Sequence, residues 1–193
     1  MIPVGLILAS TLGLAVTRPP TALVIALVPV ADASPSEAEA LVPILLETFG
    51  APAVIAPAIP MPAGAHDPSR RQFRSTAILD ALARLKRPEW ERVLGVADAD
   101  LFVPELNFVF GEADPRRGVA VFSLSRLRTP DRTLFLRRAA TEAIHELGHT
   151  WGLSHCSDPN CVMWFSNTLS ESDRKGTRFC QAHAAELAHS RGH

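Results

Sequence analysis

The sequence predicts an α/β fold in which helices alternate with short apolar strands on a mostly parallel sheet that can carry an antiparallel edge. Three observations carry the prediction. TALVIALVPV, residues 21–30, is a continuous apolar run rich in β-branched residues, as a strand buried on both faces requires. Helical apolar periodicity then alternates with further short strand candidates. A single long amphipathic segment follows Thr129.

The elements can be justified in order. The 21–30 strand is bounded by PP and DASP. Ser36–Phe49 reads as a helix with Ala40, Leu41, Ile44, Leu45 and Thr48 on one face and Gly50 as its stop; Pro43 weakens its first half. APAVIAPAIP, 51–60, holds a second short strand, and the Pro/Gly-rich PMPAGAHDPSRR is a loop. Ser75–Arg87 is a helix with Ile78, Leu79, Leu82 and Leu85 on one stripe, ended by Pro88. Strands are expected near Val96–Val103, Asn107–Phe110 and Val119–Leu124. Thr129-Pro130-Asp131 supplies a cap and a first-turn proline for the long helix. Along it Leu136, Ala140, Ala143, Leu147 and Trp151 form one apolar face, which leaves His145 and His149 roughly opposite.

The chain has 193 residues, enough for one domain with a substantial core: residues 21–193, preceded by an apolar extension at 1–20. That extension is too short to span a membrane, and no Lys or Arg precedes its apolar run. A cytoplasmic protein is the expectation, with export the alternative if residues 1–20 act as a signal peptide. A net charge of −1 and the lack of a basic face give no reason to expect nucleic acid as a partner. The oligomeric state is not legible, and a monomer is favoured. The three cysteines all lie in the last 40 residues, and an odd number cannot all pair within the chain. A disulfide-framed scaffold is thereby disfavoured, and a metal is suggested.

Function is concentrated in HELGHTWGLSHC, residues 145–156. His145 and His149 are one helical turn apart and can reach one ion, while Glu146 stands beside them as a base rather than a ligand. Gly152 can turn the chain back so that His155 arrives as third ligand, leaving a fourth position open. HExxH alone also arises in unrelated helices; the full HExxHxxGxxH is far more specific. The cysteines, taken alone, also fit a reading as small buried hydrophobes.

HExxHxxGxxH followed by C-x4-C-V-M and C-x2-H resembles the archaemetzincin family of the metzincin zinc peptidases, most strongly over residues 141–183. The resemblance continues upstream through SRRQFRSTAILDAL, DADLFVPELNFVFGEA and VAVFSLSRLR. It implies a metzincin-like twisted mixed sheet with an active-site helix and a small zinc-braced C-terminal subdomain. It implies a zinc metallopeptidase acting on peptides or proteins, with two zinc ions per chain. His145, His149 and His155 correspond to the catalytic zinc ligands, Glu146 to the general base, and Met163 to a methionine packed beneath the metal. Cys156, Cys161 and Cys180 correspond to ligands of a structural zinc, whose fourth ligand, a cysteine in the family pattern, is His183 here. His189 is the rival for that place. Many metzincins carry a tyrosine shortly after the methionine; this chain reads Met163-Trp164-Phe165 and has no tyrosine at all. Asn107 and Glu112 are weaker candidates for lining the cleft, and His66, His189 and His193 read as solvated. The competing function is a zinc-stabilised peptide- or protein-binding domain without catalysis, against which Glu146 argues, since a purely structural site has no use for it.

Overall fold

The computed structural model describes residues 23–192. The apolar extension, the first two residues of the predicted 21–30 strand and His193 lie outside the described residues. Among the described residues, no helix is long and apolar enough to cross a membrane.

Strand β1 (Val24–Val30) is the predicted apolar run, with six of its seven residues buried, so both of its faces are covered. Helices α1 (Pro35–Glu39) and α2 (Val42–Phe49) replace the single helix predicted over Ser36–Phe49. Pro43 explains the break. Within one continuous helix its ring would meet the carbonyl of Glu39, whereas in the first turn of α2 it is tolerated. Next come β2 (Ala53–Ile55), β3 (His66–Asp67), β4 (Gln72–Arg74) and α3 (Ser75–Leu85).

The next strand is β5 (Trp90–Ala97), not Val96–Val103; only β6 (Leu101–Phe102) is extended in the remainder of that predicted strand. Glu91 and Arg92 interrupt the apolar pattern of β5, and distant groups satisfy them. Trp151 Nε1 donates to Glu91 at 3.3 Å, and the Arg92 guanidinium lies 4.7 Å from the Trp151 ring centre. Asn107–Phe110 is a loop held by one bridge, Val109 to Leu101, and the edge strand is β7 (Gly111–Asp114). Strand β8 (Val119–Ser123) falls where the sequence places it.

These strands form a sheet in the order β2-β1-β5-β8-β7, parallel except for β7, which runs antiparallel to β8 at one edge. A second, smaller sheet has the order β3-β4-β6. Alternate residues feed two cores. Ile25, Leu27, Leu94, Val96 and Phe122 belong to the core of the long helix α4 (Arg132–Thr150). Ala26, Val28, Val93 and Val121 share the opposite core with Ile78, Leu79 and Leu82 of α3.

Asp131 caps α4, its carboxylate accepting from the N–H groups of Thr133 and Leu134. Ala140, Ala143, Leu147 and Trp151 are buried as predicted, whereas Leu136 is half-buried, and Phe135, Ala139 and Ile144 widen the stripe. The remaining chain carries α5 (Leu169–Lys175) and α6 (Gln181–Ser190). Helix α5 docks on α4 through polar groups. Arg138 grips Asp173 at 2.7 Å, Ser172 Oγ donates to Glu142 Oε1 at 2.6 Å, and Lys175 Nζ lies 3.4 Å from the same oxygen. The Lys175 and Glu142 side chains are only 1% and 2% exposed, so neither charge has water to fall back on.

Lys175→Met is therefore expected to destabilise the protein by about 3–5 kcal/mol, because Glu142 is left as an uncompensated buried charge. Lys175→Met combined with Glu142→Leu should recover most of that loss. Urea denaturation of the two variants decides the point: a single variant as stable as wild type would show that this ion pair does not hold α5 in place.

Candidate metal centre and cleft

His145 and His149 face the same spot because each is turned by its far nitrogen. His145 Nδ1 lies 2.8 Å from the Val162 carbonyl, and His149 Nδ1 lies 2.7 Å from the Leu153 carbonyl. A carbonyl oxygen only accepts, so both Nδ1 atoms carry the hydrogen and both Nε2 atoms are bare acceptors. Those two Nε2 atoms stand 3.1 Å apart. Two lone pairs facing each other at that distance call for a cation between them.

His155 completes the group. Helix α4 ends at Thr150, and Gly152, at φ +89°, reverses the chain in a conformation that suits glycine. The His155 ring then lies 5.4 Å from that of His145 and 4.9 Å from that of His149, centre to centre. One ligand atom from each of the three lies within 4.8 Å of the others. Burial, with the Lys175 charge and neighbouring imidazoles behind it, holds His145 well below the ordinary histidine range. Burial likewise brings His149 down to about 4, and burial and Lys175 lower His155. Neutral imidazoles are the form that binds metal. The donor set therefore fits a zinc ion with an open position.

Glu146 is buried beside the histidines, and burial first, then the carboxylate of Glu142, pushes its carboxyl well above the usual range. It slots against β7 only because residue 111 has no side chain. A Cβ at Gly111 would lie 2.5 Å from Glu146 Cγ and 2.6 Å from Oε1. Met163, fully buried, sits under the helix where the chain turns back, and Cys156 N–H donates to its carbonyl at 2.9 Å.

A cleft of about 500 Å³ opens over these groups, walled by apolar residues including Leu106, Phe108, Phe110 and Phe165. Asn107 and Glu112 both line it. Glu112 is engaged elsewhere, accepting from Ser75 Oγ at 2.5 Å and from Thr76 Oγ1 at the start of α3. The carbonyl of Asn107 accepts from Arg70 and Gln72, which pins the cleft wall. His66 and His189 are exposed, as expected. Sequence reasoning missed Lys175 and Glu142 at the back of the cleft; only the scarcity of lysine, which also occurs at position 86, marked Lys175 out.

Cys156, Cys161, Cys180 and His183 form a second group, again with one ligand atom each within 4.8 Å. No disulfide links the cysteines: the Cys156 and Cys180 sulfurs are 3.8 Å apart. His183 Nδ1 lies 3.3 Å from Cys180 Sγ and 3.8 Å from Cys161 Sγ. Hydrogen bonding from the His183 backbone N–H pulls the Cys180 thiol down to about 6, whereas burial pushes Cys161 up to about 11. Three sulfurs and an imidazole nitrogen around one point suit a closed zinc site. His189 takes no part in this group.

Comparison with known proteins converges on one family. The sequence model of Peptidase family M54 matches residues 57–189. The chain is 49% identical over 121 residues to an archaemetzincin of Methanopyrus kandleri, covering 63% of this chain and 69% of that one. It is 41% identical over 149 residues to an archaemetzincin of Archaeoglobus fulgidus, covering 77% and 89%. The crystal structure of the Methanopyrus kandleri archaemetzincin superposes with a TM-score of 0.83 at 36% identity, covering 92% of this chain and 99% of that chain. A zinc-dependent peptidase from Methanocorpusculum labreanum superposes at 0.76 with 27% identity, covering 84% and 99%. The metzincin-like fold expected from the sequence is thus borne out. With most of its length matched by the family's sequence model and its fold shared with archaemetzincin structures, the chain belongs to peptidase family M54 and is a zinc metallopeptidase.

Proposed function

We propose that the chain hydrolyses peptide bonds at the three-histidine centre, with His145, His149 and His155 as ligands of the catalytic zinc and Glu146 as general base. One observation carries this reading: two unprotonated Nε2 atoms 3.1 Å apart, joined by a third imidazole and flanked by a carboxylate in the same cleft. Zinc at such a site supplies Lewis acidity, polarising a carbonyl and acidifying water. Glu146 takes a proton from the attacking water as its oxygen bonds to the carbonyl carbon, and delivers that proton to the leaving amine as the C–N bond breaks. Val162 and Leu153 fix the imidazoles through their carbonyls, so the ligands need no reorganisation. The apolar cleft wall excludes water from an extended peptide and favours substrates with apolar side chains. Phe165, whose ring lies 4.9 Å from that of His155, has no hydroxyl, so its side chain offers no hydrogen-bond donor to the reacting carbonyl.

Cys156, Cys161, Cys180 and His183 would hold a second, structural zinc, making two ions per chain. The adjacency of His155 and Cys156 places consecutive residues in the two centres. Metal analysis of protein purified without chelator should return two zinc ions per chain, and Cys161→Ser should return one. A wild-type value of one or none would overturn the two-site reading.

Glu146→Gln should keep both metals and the fold while lowering kcat by about 10²- to 10⁴-fold, because an amide cannot accept the proton. The check is cleavage of a fluorogenic peptide library; equal turnover by this variant and wild type would remove Glu146 as the base.

Gly111→Ala tests the close packing of that carboxylate against β7. The added methyl should displace Glu146 and lower kcat by about 10- to 100-fold with zinc content unchanged. Unaltered kcat would show that the position of Glu146 does not depend on the strand edge.

A further inference from the structure

His183 differs from the cysteine of the family pattern in having a second ring nitrogen, and the structure gives that nitrogen a partner. Its Nε2 lies 3.1 Å from the carbonyl oxygen of Ser154. The carbonyl can only accept, so Nε2 carries the hydrogen and the Nδ1 lone pair points at the Cys161 and Cys180 sulfurs. Ser154 immediately precedes His155, the catalytic ligand carried on a loop instead of on α4.

That loop is held at successive residues by the two centres in turn. The Leu153 carbonyl accepts from His149 at 2.7 Å, and the Ser154 carbonyl accepts from His183. Cys156 then contributes its sulfur to the second group while its N–H donates to the Met163 carbonyl. His155 itself is exposed, its ring 4.9 Å from that of Phe165, and among the described residues its own N–H and carbonyl make no backbone hydrogen bond. A zinc-bound thiolate at position 183 could bind the ion equally well but has no hydrogen to donate to Ser154.

We propose that His183 is a positioning residue for the catalytic centre: its Nε2–H···O=C bond to Ser154 transmits the order of the second zinc site to His155, so that the three-histidine site holds its metal more tightly than it would with cysteine at that position. The proposal rests on the two-zinc reading given above. A ligating histidine whose other nitrogen donates to a carbonyl has its ring orientation fixed by that bond. Here the bond works in the reverse direction as well, because the accepting carbonyl belongs to the loop that carries a ligand of the neighbouring ion.

The decisive variant is His183→Cys, which keeps four zinc ligands while deleting the donor. Wild type and variant are loaded with cobalt in place of zinc. Thiolate-to-cobalt charge-transfer bands then report the cysteine centre, and d–d absorption without them reports the three-histidine centre. Titration with a chelator should leave the charge-transfer bands of the variant intact, while the three-histidine centre surrenders its metal about two- to tenfold more readily than in wild type, the range expected for one partly exposed hydrogen bond. His189→Ala should match wild type in both. Equal metal retention at the three-histidine centre in His183→Cys and wild type overturns the coupling and leaves the two-zinc reading standing. Wild type that binds one metal overturns that reading and the coupling with it. Should His183→Cys fail to fold, the imidazole nitrogens of His183 in wild type are read by long-range ¹H–¹⁵N NMR. A protonated Nε2 with a slowly exchanging hydrogen supports the proposal, and a protonated Nδ1 overturns it.

Discussion

The hydrogen bond from His145 Nδ1 to the carbonyl of Val162 is the contact on which the geometry of the three-histidine group depends. It joins a helix to a segment that, by sequence, lies beyond the turn following that helix, and it decides which way the first imidazole points. The same peptide group is anchored from its other side, where Val162 N–H donates to the Arg178 carbonyl at 2.7 Å. Met163 follows directly and fills the space under Gly148. A single short stretch therefore orients a histidine, supports the helix from below and ties both to the approach to α6.

Helix α4 meets two opposing demands. Its apolar stripe must be buried on the sheet, yet its other face carries His145, Glu142 and Glu146, which are buried as well. Burying two carboxylates one turn apart on the same helix is unfavourable unless something answers them. Glu142 is answered by Lys175 and Ser172 from α5. Among the described residues Glu146 has no such direct partner, and burial first, then the Glu142 charge, raises its pKa. The pair thus divides into a carboxylate tied to α5 and one left without such a tie in the cleft, a distinction set by α5 and not by α4.

Much of this was legible in the sequence, and the rest was hidden for identifiable reasons. The histidine and cysteine clusters could be read because metal ligation demands particular residue types at fixed spacings, and the structure brings all seven residues together as two groups. Strands β1 and β8 were legible because sheets buried on both faces demand unbroken apolar runs. Strand β5 was misplaced because Glu91 and Arg92 look like loop residues until Trp151 and Arg191, far along the chain, are seen to receive them. The 36–49 helix kept its apolar periodicity across the break, so only the steric demand of Pro43 signalled the division. Lys175 had no local signature, since its partner lies on another helix.

The site is also spread widely along the chain, and synthesis runs in one direction. Helix α4 leaves the ribosome carrying His145, Glu146 and His149 before their carbonyl and loop partners exist. Val162 and Met163 follow, then Lys175, and the second centre is complete only when His183 has been added. A nascent chain therefore displays the HExxH helix for some time without the groups that aim it. The order of residues thus leaves the second group of potential ligands incomplete until nearly all of the described residues are available to fold.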